Sequence, residues 1–467
     1  MDEELDDNSD EFSICSSSSN EGTGAESTNL VSPSISAPSL QELDNSTPSL
    51  QRDDLHFLQY AKRDPFLLLH KFCYFLGMGA NAAYFPFAIQ LWTSPLFGLT
   101  VAESGVIFAV GHVISMIVSP LVMRIADQNK SWRKGVLVSG ILLQILFLGL
   151  LYRSSGFWQI LLFEGLQEAA SCAVWPSFDA ATLRVLEVAH GNSHFYGNTR
   201  AFGALGWGAF AWLFGAIYDS HGLGMWWWCF ATAMLPVALL ALFIPVESRS
   251  AQSVKMDVLV KSLVRWDVFI LLFIVFLTAV LLQIVDVYRF PFLATLPNCT
   301  NQILGISITV TALSEAPFFF ITSWILQRLD VGPALCVVLA GYGVRYIYYS
   351  LINNPWYTMP AELMHGVTFA LGWSAATQYV SSLLPPELST SAQGLLAGIQ
   401  WGLGAACGSL LGGFMQGLFG WRIMWRIGSG VAFAGLFLMV VELRRTKKKG
   451  GEGEGGEGAS PTSTSGS

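Results

Sequence analysis

The chain consists of long apolar blocks, and charged residues occur inside several of them. Of its 467 residues, 52% are hydrophobic and only 12% are charged, against roughly 25% charged in a typical soluble domain. A charge at bilayer depth costs about 2.5 kcal/mol or more on insertion scales, so such residues face a bundle interior or a watery cavity. The sequence therefore predicts a multi-pass membrane protein with a polar path, marked by Asp179, Arg200, Asp286, Arg289, Glu315, Arg345, Glu362 and His365.

The apolar blocks predict twelve membrane spans, since about 20 apolar residues cross a bilayer as a helix. We number these spans 1 to 12 in chain order. They lie near residues 66–91, 99–123, 134–152, 158–183, 197–218, 223–245, 266–289, 303–326, 333–353, 358–384, 389–417 and 421–443.

The polar segments divide the chain into two six-span halves with tails. Residues 1–62 are acidic and rich in Ser, a composition that predicts a disordered tail. A linker at 246–265 separates an N-terminal half at 63–245 from a C-terminal half at 266–443. Residues 444–467 form a second tail, first basic and then rich in Gly, Glu and Ser.

The distribution of Lys and Arg predicts the orientation. Basic residues cluster after spans 2, 6 and 12, and the connections after spans 1, 5, 7 and 9 contain none. The positive-inside rule therefore places both termini, the tails and the linker in the cytosol. The expected membrane is the plasma membrane or an internal membrane. The sequon Asn298-Cys299-Thr300 follows span 7 and lies outside in this orientation.

Charge and motif content exclude several function classes. The first 51 residues hold eleven Asp or Glu and no Lys or Arg, and removing these charges from the net charge of -8 leaves +3. A net charge of +3 on the rest of the chain is too weakly basic to predict a nucleic-acid partner. The seven cysteines have no CxxC or metal-ligand spacing, so no metal site is predicted. The chain has neither a Walker loop nor a Gly-x-Ser-x-Gly elbow, and we do not expect an enzyme.

Internal repetition favours two related halves. The Phe-Pro-Phe motif at 85–87 in span 1 recurs at 290–292 in span 7, and Glu164 in span 4 recurs 198 residues later as Glu362 in span 10. Parallel six-helix halves with a site between them at the membrane midplane are the major facilitator arrangement. The predicted fold class is therefore an all-α membrane protein of twelve transmembrane helices in two pseudo-symmetric halves.

A longer match supports this assignment. The segment Phe195-Tyr196-Gly197-Asn198-Thr199-Arg200-Ala201-Phe202-Gly203-Ala204-Leu205-Gly206-Trp207 resembles the major facilitator superfamily, in the branch of lactose permease, other oligosaccharide/proton symporters and their eukaryotic relatives. The resemblance extends over nearly all of 66–443. It implies a secondary transporter that works as a monomer, moves a sugar or similar small polar solute by alternating access, uses no cofactor and couples transport to protons.

The same resemblance implies a substrate site in the N-terminal half. Arg200 matches the arginine that grips sugar hydroxyls, Trp207 matches the tryptophan that stacks on the sugar ring, and Asp179 matches the partner acid. A guanidinium and a carboxylate can bind neighbouring hydroxyls, and an indole can cover the apolar face of a ring. The alternative is that Asp179 and Arg200 only neutralise each other while Trp207 packs.

In the C-terminal half, Arg345 and His365 match the proton-coupling arginine and histidine of the permease. One turn after the histidine, where the permease has its proton-carrying glutamate, this chain has Thr368, which cannot ionise. Asp286 and Glu315 are then the acids best able to take up and release a proton, with Arg345 near Glu315 to expel it. His365 has a second interpretation, as an ordinary core histidine.

Two further charges match the permease with their signs exchanged. Arg289 and Glu362 stand where it has an aspartate and a lysine, so we interpret them as a structural ion pair between spans 7 and 10. Asp286 loses its matching partner, because Trp401 or Gln400 occupies the corresponding lysine position. Two other functions remain open beside a coupled transporter: an uncoupled facilitator, and a receptor or sensor that retains the fold without transport.

Overall fold

The computed structural model describes residues 59–62, 64, 67–128, 130–172, 174–190, 196–246, 266–383 and 389–454. These residues belong to one compact unit and are helical, with no strand in the described ranges. Residues 1–58, most of the predicted linker and the end of the second tail lie outside the described residues. Residues 59–62 form a helical turn, and Ala61 packs against Leu67 and Val185.

The helices follow the predicted order of spans. Span 1 consists of Leu68–Ala82, Phe85–Phe87 and Ala88–Trp92, span 2 is Val101–Gln128, and span 3 is Lys130–Tyr152. Span 4 consists of Phe157–Ser171 and Val174–His190, span 5 is Tyr196–His221, and span 6 consists of Leu223–Met225 and Trp226–Ala241. Spans 7 to 9 are Trp266–Ala294, Asn301–Arg328 and Val331–Leu351. Span 10 consists of Pro355–Thr358, Met359–Leu363, Gly366–Leu371 and Gly372–Leu383. Span 11 consists of Ser389–Ala397, Gly398–Gly404 and Ala405–Phe419, and span 12 is Trp421–Glu454.

Four spans differ from the single α-helices that were predicted. Span 1 contains a 3₁₀ segment at Phe85–Phe87, and span 11 contains a π-helical stretch at Gly398–Gly404. Ten helices in the described part of the chain are long and apolar enough to cross a membrane, and spans 4 and 10 are not among them. Span 4 is divided near Cys172, and span 10 contains a π-helical stretch at Gly366–Leu371. π-Helical turns are rare and concentrate at functional sites. Span 12 also extends beyond its predicted end at 443, as far as Glu454.

Local sequence explains where several helices begin. Thr100 and Glu103 form a reciprocal cap at the start of span 2: Glu103 N donates to Thr100 Oγ1 at 3.2 Å, and Thr100 N donates to Glu103 Oε2 at 2.8 Å. Thr300 Oγ1 likewise accepts from Ile303 N at 3.2 Å at the start of span 8. These caps satisfy main-chain N–H groups that the first helical turn leaves without partners.

The packing of the spans repeats between the two halves. Span 1 packs on spans 5 and 6 as span 7 packs on spans 11 and 12, and span 3 packs on spans 4 and 6 as span 9 packs on spans 10 and 12. Between the halves, span 5 packs on span 8 and span 2 packs on span 11. When every span number is shifted by six, the pair of spans 5 and 8 becomes the pair of spans 11 and 2, and the reverse. The architecture therefore has the two pseudo-symmetric halves of the major facilitator fold.

Glycines bring the helices of each half together. A Cβ on Gly206 in span 5 would collide with the carbonyl oxygen of Phe75 in span 1. In span 11, Gly404, Gly408 and Gly412 occur at every fourth residue and all face span 7, so small residues at these positions allow the two helices to approach closely.

The contacts between the halves concentrate near their predicted external ends. Gln90 Nε2 donates to Asn301 Oδ1 at 2.9 Å, and Asn301 N donates to Asp219 Oδ1 at 2.7 Å. Phe87 and Phe290, from the two Phe-Pro-Phe motifs, meet with ring centroids 4.9 Å apart. These contacts join the two halves at the end that is external in the predicted orientation.

Candidate solute and coupling site

Glu362 lies at the centre of a buried ion cluster in the C-terminal half. Arg289 Nη1 contacts Glu362 Oε2, and Arg345 Nη2 lies 2.8 Å from the same oxygen. Tyr349 and Thr358 donate to Glu362 Oε1 at 2.6 and 2.8 Å. The two guanidinium groups and the carboxylate are at most 2% exposed, and such burial is tolerable only because opposite charges and hydrogen bonds compensate it.

From the sequence, Glu362 was expected to pair with Arg289 alone, and Arg345 was expected near Glu315. The structure joins Arg345 to Glu362 instead, so the cluster contains two arginines for one glutamate. The position of Arg345 one helical turn before Tyr349 explains this, because both side chains project from the same face of span 9 toward Glu362.

His365 connects this cluster to Glu315. Arg345 Nη1 lies 3.0 Å from His365 Nδ1, and His365 Nε2 lies 3.0 Å from Glu315 Oε1. A guanidinium can only donate, so Nδ1 accepts and the ring proton resides on Nε2, which donates it to the carboxylate. Thr368 also accepts from Arg345 Nη1, at 3.2 Å.

Glu315 and Asp286 are the acids of this region that solvent can reach. The Glu315 side chain is 20% exposed, and its Oε1 atom lies 3.0 Å from His365 Nε2. Asp286 is partly buried in span 7, one turn before Arg289, and has no hydrogen bond or ion pair with any described residue. Trp401 packs on Phe369 and Trp373 rather than beside Asp286.

In the N-terminal half, the structure brings Asp179 and Arg200 together loosely. Arg200 Nε lies 3.7 Å from Asp179 Oδ1, which is an ion-pair distance longer than a hydrogen bond. Tyr74 donates to Asp179 Oδ1 at 2.6 Å, and the Arg200 guanidinium lies 5.4 Å from the centroid of the Tyr74 ring. Arg200 Nη1 is buried and has no hydrogen-bond partner, so the guanidinium group is only partly satisfied.

Trp207 lies two helical turns beyond Arg200 on span 5, about 10 Å along the helix axis. Its ring is partly buried and packs on Phe85 of span 1 with centroids 6.2 Å apart. The predicted residues therefore form two groups, one in each half: Asp179, Arg200 and Trp207 in spans 4 and 5, and the Glu315 to Arg289 network in spans 7 to 10.

The sequence analysis did not identify the tyrosines and threonines that complete these groups. Tyr349 and Thr358 each lie four residues from a charged member of the cluster, Arg345 and Glu362 respectively. This spacing places them on the same helix face, and it was the available signal. Among the described residues, no group of three His, Cys, Asp or Glu could hold a metal ion.

Comparison with known proteins identifies the family of the fold. The model of the MFS_1 like family matches residues 67–427. The maltose permease of Geobacillus stearothermophilus is 24% identical over 386 residues, which cover 81% of this chain and 95% of the permease. A major facilitator superfamily domain-containing protein 6-like protein of Danio rerio is 28% identical over 132 residues, 28% of this chain and 24% of that protein. A crystal structure of the nucleoside transporter NupG superposes with a TM-score of 0.70 at 15% identity, covering 80% of this chain and 98% of that one.

Proposed function

Because this chain belongs to the MFS_1 like family, we propose that it is a secondary transporter that carries a small polar solute by alternating access, driven by protons. The observation that carries the proposal is the chain of contacts Glu315, His365, Arg345, Glu362 and Arg289 at membrane depth. A purely structural ion cluster needs no solvent-accessible acid at one end, whereas Glu315 is 20% exposed.

The N-terminal group supplies the solute contacts. Arg200 and Asp179 are both partly exposed and their contact is loose, so a hydroxyl-bearing solute can bind between them without breaking a strong ion pair. Trp207 offers an aromatic surface on the same span. The similarity to a maltose permease favours a sugar or a similarly hydroxylated ring, and such a solute suits a guanidinium fork beside an indole.

The C-terminal group supplies the coupling. A proton that binds the Glu315 carboxylate cancels its charge and weakens the hydrogen bond from His365 Nε2. Because His365 also accepts from Arg345, the change reaches the cluster around Glu362 that joins spans 7, 9 and 10. Protonation at one end of the network thus changes the packing of the spans that must move during alternating access.

The test is uptake by proteoliposomes that contain the purified full chain, across sugars, nucleosides and organic acids, with and without a pH gradient. Glu315→Gln should preserve exchange of solute down its gradient and abolish accumulation driven by the pH gradient. Glu103→Gln is the matched control, because a glutamine can replace this cap residue at the far end of span 2. If Glu315→Gln still concentrates solute, Glu315 does not carry the proton, and Asp286→Asn tests the other accessible acid.

One observation favours a second candidate, an uncoupled facilitator. Thr368 donates no proton in the transport cycle and instead bonds to Arg345, at the position where the resemblance implied an ionisable group. A facilitator would take up solute at the same rate with and without a pH gradient. A sensor that retains the fold would bind solute and show no uptake in either condition.

A further inference from the structure

Spans 3 and 9 bury matching positions of their helices. Four residues of span 3 are fully buried, and the residue 201 positions later in span 9 is at most 1% exposed in each case. The pairs are Leu137 and Val338, Ile141 and Tyr342, Gln144 and Arg345, and Leu148 and Tyr349. The repeat of the two halves therefore gives Gln144 the position in the N-terminal half that Arg345 has in the C-terminal half.

Span 4 continues this repeat. Glu164 and Gln167 lie 198 residues before Glu362 and His365, respectively. Arg345 contacts both of these span 10 residues, at 2.8 and 3.0 Å, so its counterpart Gln144 is directed at Glu164 and Gln167. The antiparallel pair of spans 3 and 4 supports this placement, because Gln144 lies eight residues before the end of span 3 and Glu164 lies seven residues after the start of span 4. An equal rise per residue puts the two at nearly the same height.

The two glutamines are buried polar groups with unsatisfied atoms. Gln144 is 0% exposed, and neither its Oε1 nor its Nε2 atom has a hydrogen-bond partner in the described part of the chain. Gln167 is 4% exposed, and its Oε1 atom has no partner either. A buried amide that makes no hydrogen bond costs free energy. Because a glutamine is shorter than an arginine, Gln144 stops short of Glu164, and amide and carboxylate oxygens line the position that corresponds to the Arg345 guanidinium.

Two glutamates lie at this position without a cationic side chain. Tyr84 stands where the other half has Arg289, and it donates to Glu164 Oε2 at 2.6 Å. Glu168 follows Glu164 by one turn and lies on the same helix face. Neither glutamate has an ion-pair partner among the described residues. The cluster around Glu362, by contrast, has two guanidinium groups for one carboxylate. Because a buried carboxylate needs a compensating positive charge, the N-terminal cluster requires a cation from outside the chain.

We propose that this position between spans 3 and 4 binds an alkali-metal ion, whose single charge takes the place of the Arg345 guanidinium. Hard cations bind oxygen ligands, and the site offers the carboxylates of Glu164 and Glu168 and the amide oxygens of Gln144 and Gln167. A single proton bridges only two of these oxygens, whereas a metal ion contacts several at once. The ion joins spans 3 and 4 as Arg345 joins spans 9 and 10. This inference goes beyond the proposed function, because the ion stays bound while the driving proton acts in the other half.

The test is the thermal stability of the purified full chain in sodium chloride, potassium chloride and choline chloride, at equal concentration and pH. At least one of the two metal ions should raise the apparent melting temperature by about 2 °C or more above that in choline. Gln144→Leu should abolish this response, since it removes the amide at nearly constant size. Gln144→Arg should also abolish it and should melt no lower than wild type with the ion, because its guanidinium supplies the charge. Asp286→Asn, in the other half, is the control that should keep the response.

Direct binding covers the case in which a variant fails to fold. A radioisotope of the more effective ion should bind to wild-type protein in one equivalent, and Gln144→Arg should bind none. Equal melting in all three salts, a response that Gln144→Leu and Gln144→Arg both keep, or absence of ion binding to wild type each overturns the proposal. Stabilisation by lower pH alone, with no effect of either metal ion, assigns the charge to a proton and overturns it as well. Uptake driven by a pH gradient tests the proposed function separately, so failure of the ion site leaves that function intact.

Discussion

Replacing Glu362 with glutamine is the sharpest test of the ion cluster, because the change keeps the shape of the side chain and removes only its charge. Glu362 is fully buried, and its Oε2 atom contacts both Arg289 and Arg345. Glutamine can still accept hydrogen bonds from Tyr349 and Thr358, which reach the other oxygen. The variant therefore isolates the energy of one negative charge between two buried guanidinium groups.

The expected loss follows from the number of ionic contacts. Removing one partner of a buried ion pair costs about 3–5 kcal/mol, because it leaves the other charge uncompensated. Arg289→Gln should cost less than this, since Arg345 still neutralises Glu362. Glu362→Gln leaves two buried guanidinium groups uncompensated, so it should cost at least the full amount of about 3–5 kcal/mol. Domain stabilities are about 5–15 kcal/mol. Tyr349→Phe should cost only about 1.5–3 kcal/mol, the value of a hydrogen bond to a charged group.

Each variant is fused to a fluorescent protein, solubilised in detergent and heated. The measurement is the amount of monodisperse protein that remains at each temperature. Apparent melting temperatures should fall in the order wild type, Tyr349→Phe, Arg289→Gln and Glu362→Gln. The double exchange of Arg289→Glu with Glu362→Arg should not restore stability, because it sets a guanidinium beside Arg345. A Glu362→Gln variant as stable as wild type, or a stable double exchange, would refute the two-arginine cluster.

Two other predictions concern the N-terminal half. Arg200→Lys should reduce solute uptake by at least about tenfold, since an ammonium keeps the charge and loses the planar fork. Protein yield should be unchanged, because the contact to Asp179 is long and weak at 3.7 Å. Uptake and yield measured on the same preparation check both statements. Gly206→Ala should lower the apparent melting temperature by the equivalent of about 1–3 kcal/mol, because the new Cβ collides with the carbonyl of Phe75. Gly224→Ala, with no atom within 4 Å, is its control, and equal melting of the two variants would contradict the close approach of spans 1 and 5.

Hydropathy and repetition predicted the helical fold well because both depend on local composition. The order of the spans agrees with the structure. The irregular turns in spans 1, 4, 10 and 11 were not predicted, since counting apolar residues in a window of about 20 does not distinguish an α-helical turn from a 3₁₀ or π-helical one. The close approach of spans 8 and 10 was equally hidden, because only the structure shows that a Cβ on Gly366 would collide with Phe318 of span 8.

The charged residues of the site were predictable, and their partners were not. Burial cost alone singles out ionisable residues in apolar blocks, and all eight such residues lie in the described helices. Pairing depends on how helices from distant parts of the sequence are rotated against each other. Arg345 bonds to Glu362, seventeen residues away, and reaches Glu315 only through His365.

The pseudo-symmetry of the halves shows why the charges of the cluster belong to one half. In the N-terminal half, Tyr84 precedes the Phe-Pro-Phe motif and donates to Glu164 at 2.6 Å. In the C-terminal half, Arg289 precedes the same motif and contacts Glu362, the counterpart of Glu164. The same two positions therefore hold a neutral donor in one half and a cation in the other. Because an ion pair responds to a change of charge more strongly than a hydrogen bond from tyrosine does, this difference between the halves supports the proposal that coupling belongs to the C-terminal half and the solute contacts to the N-terminal half.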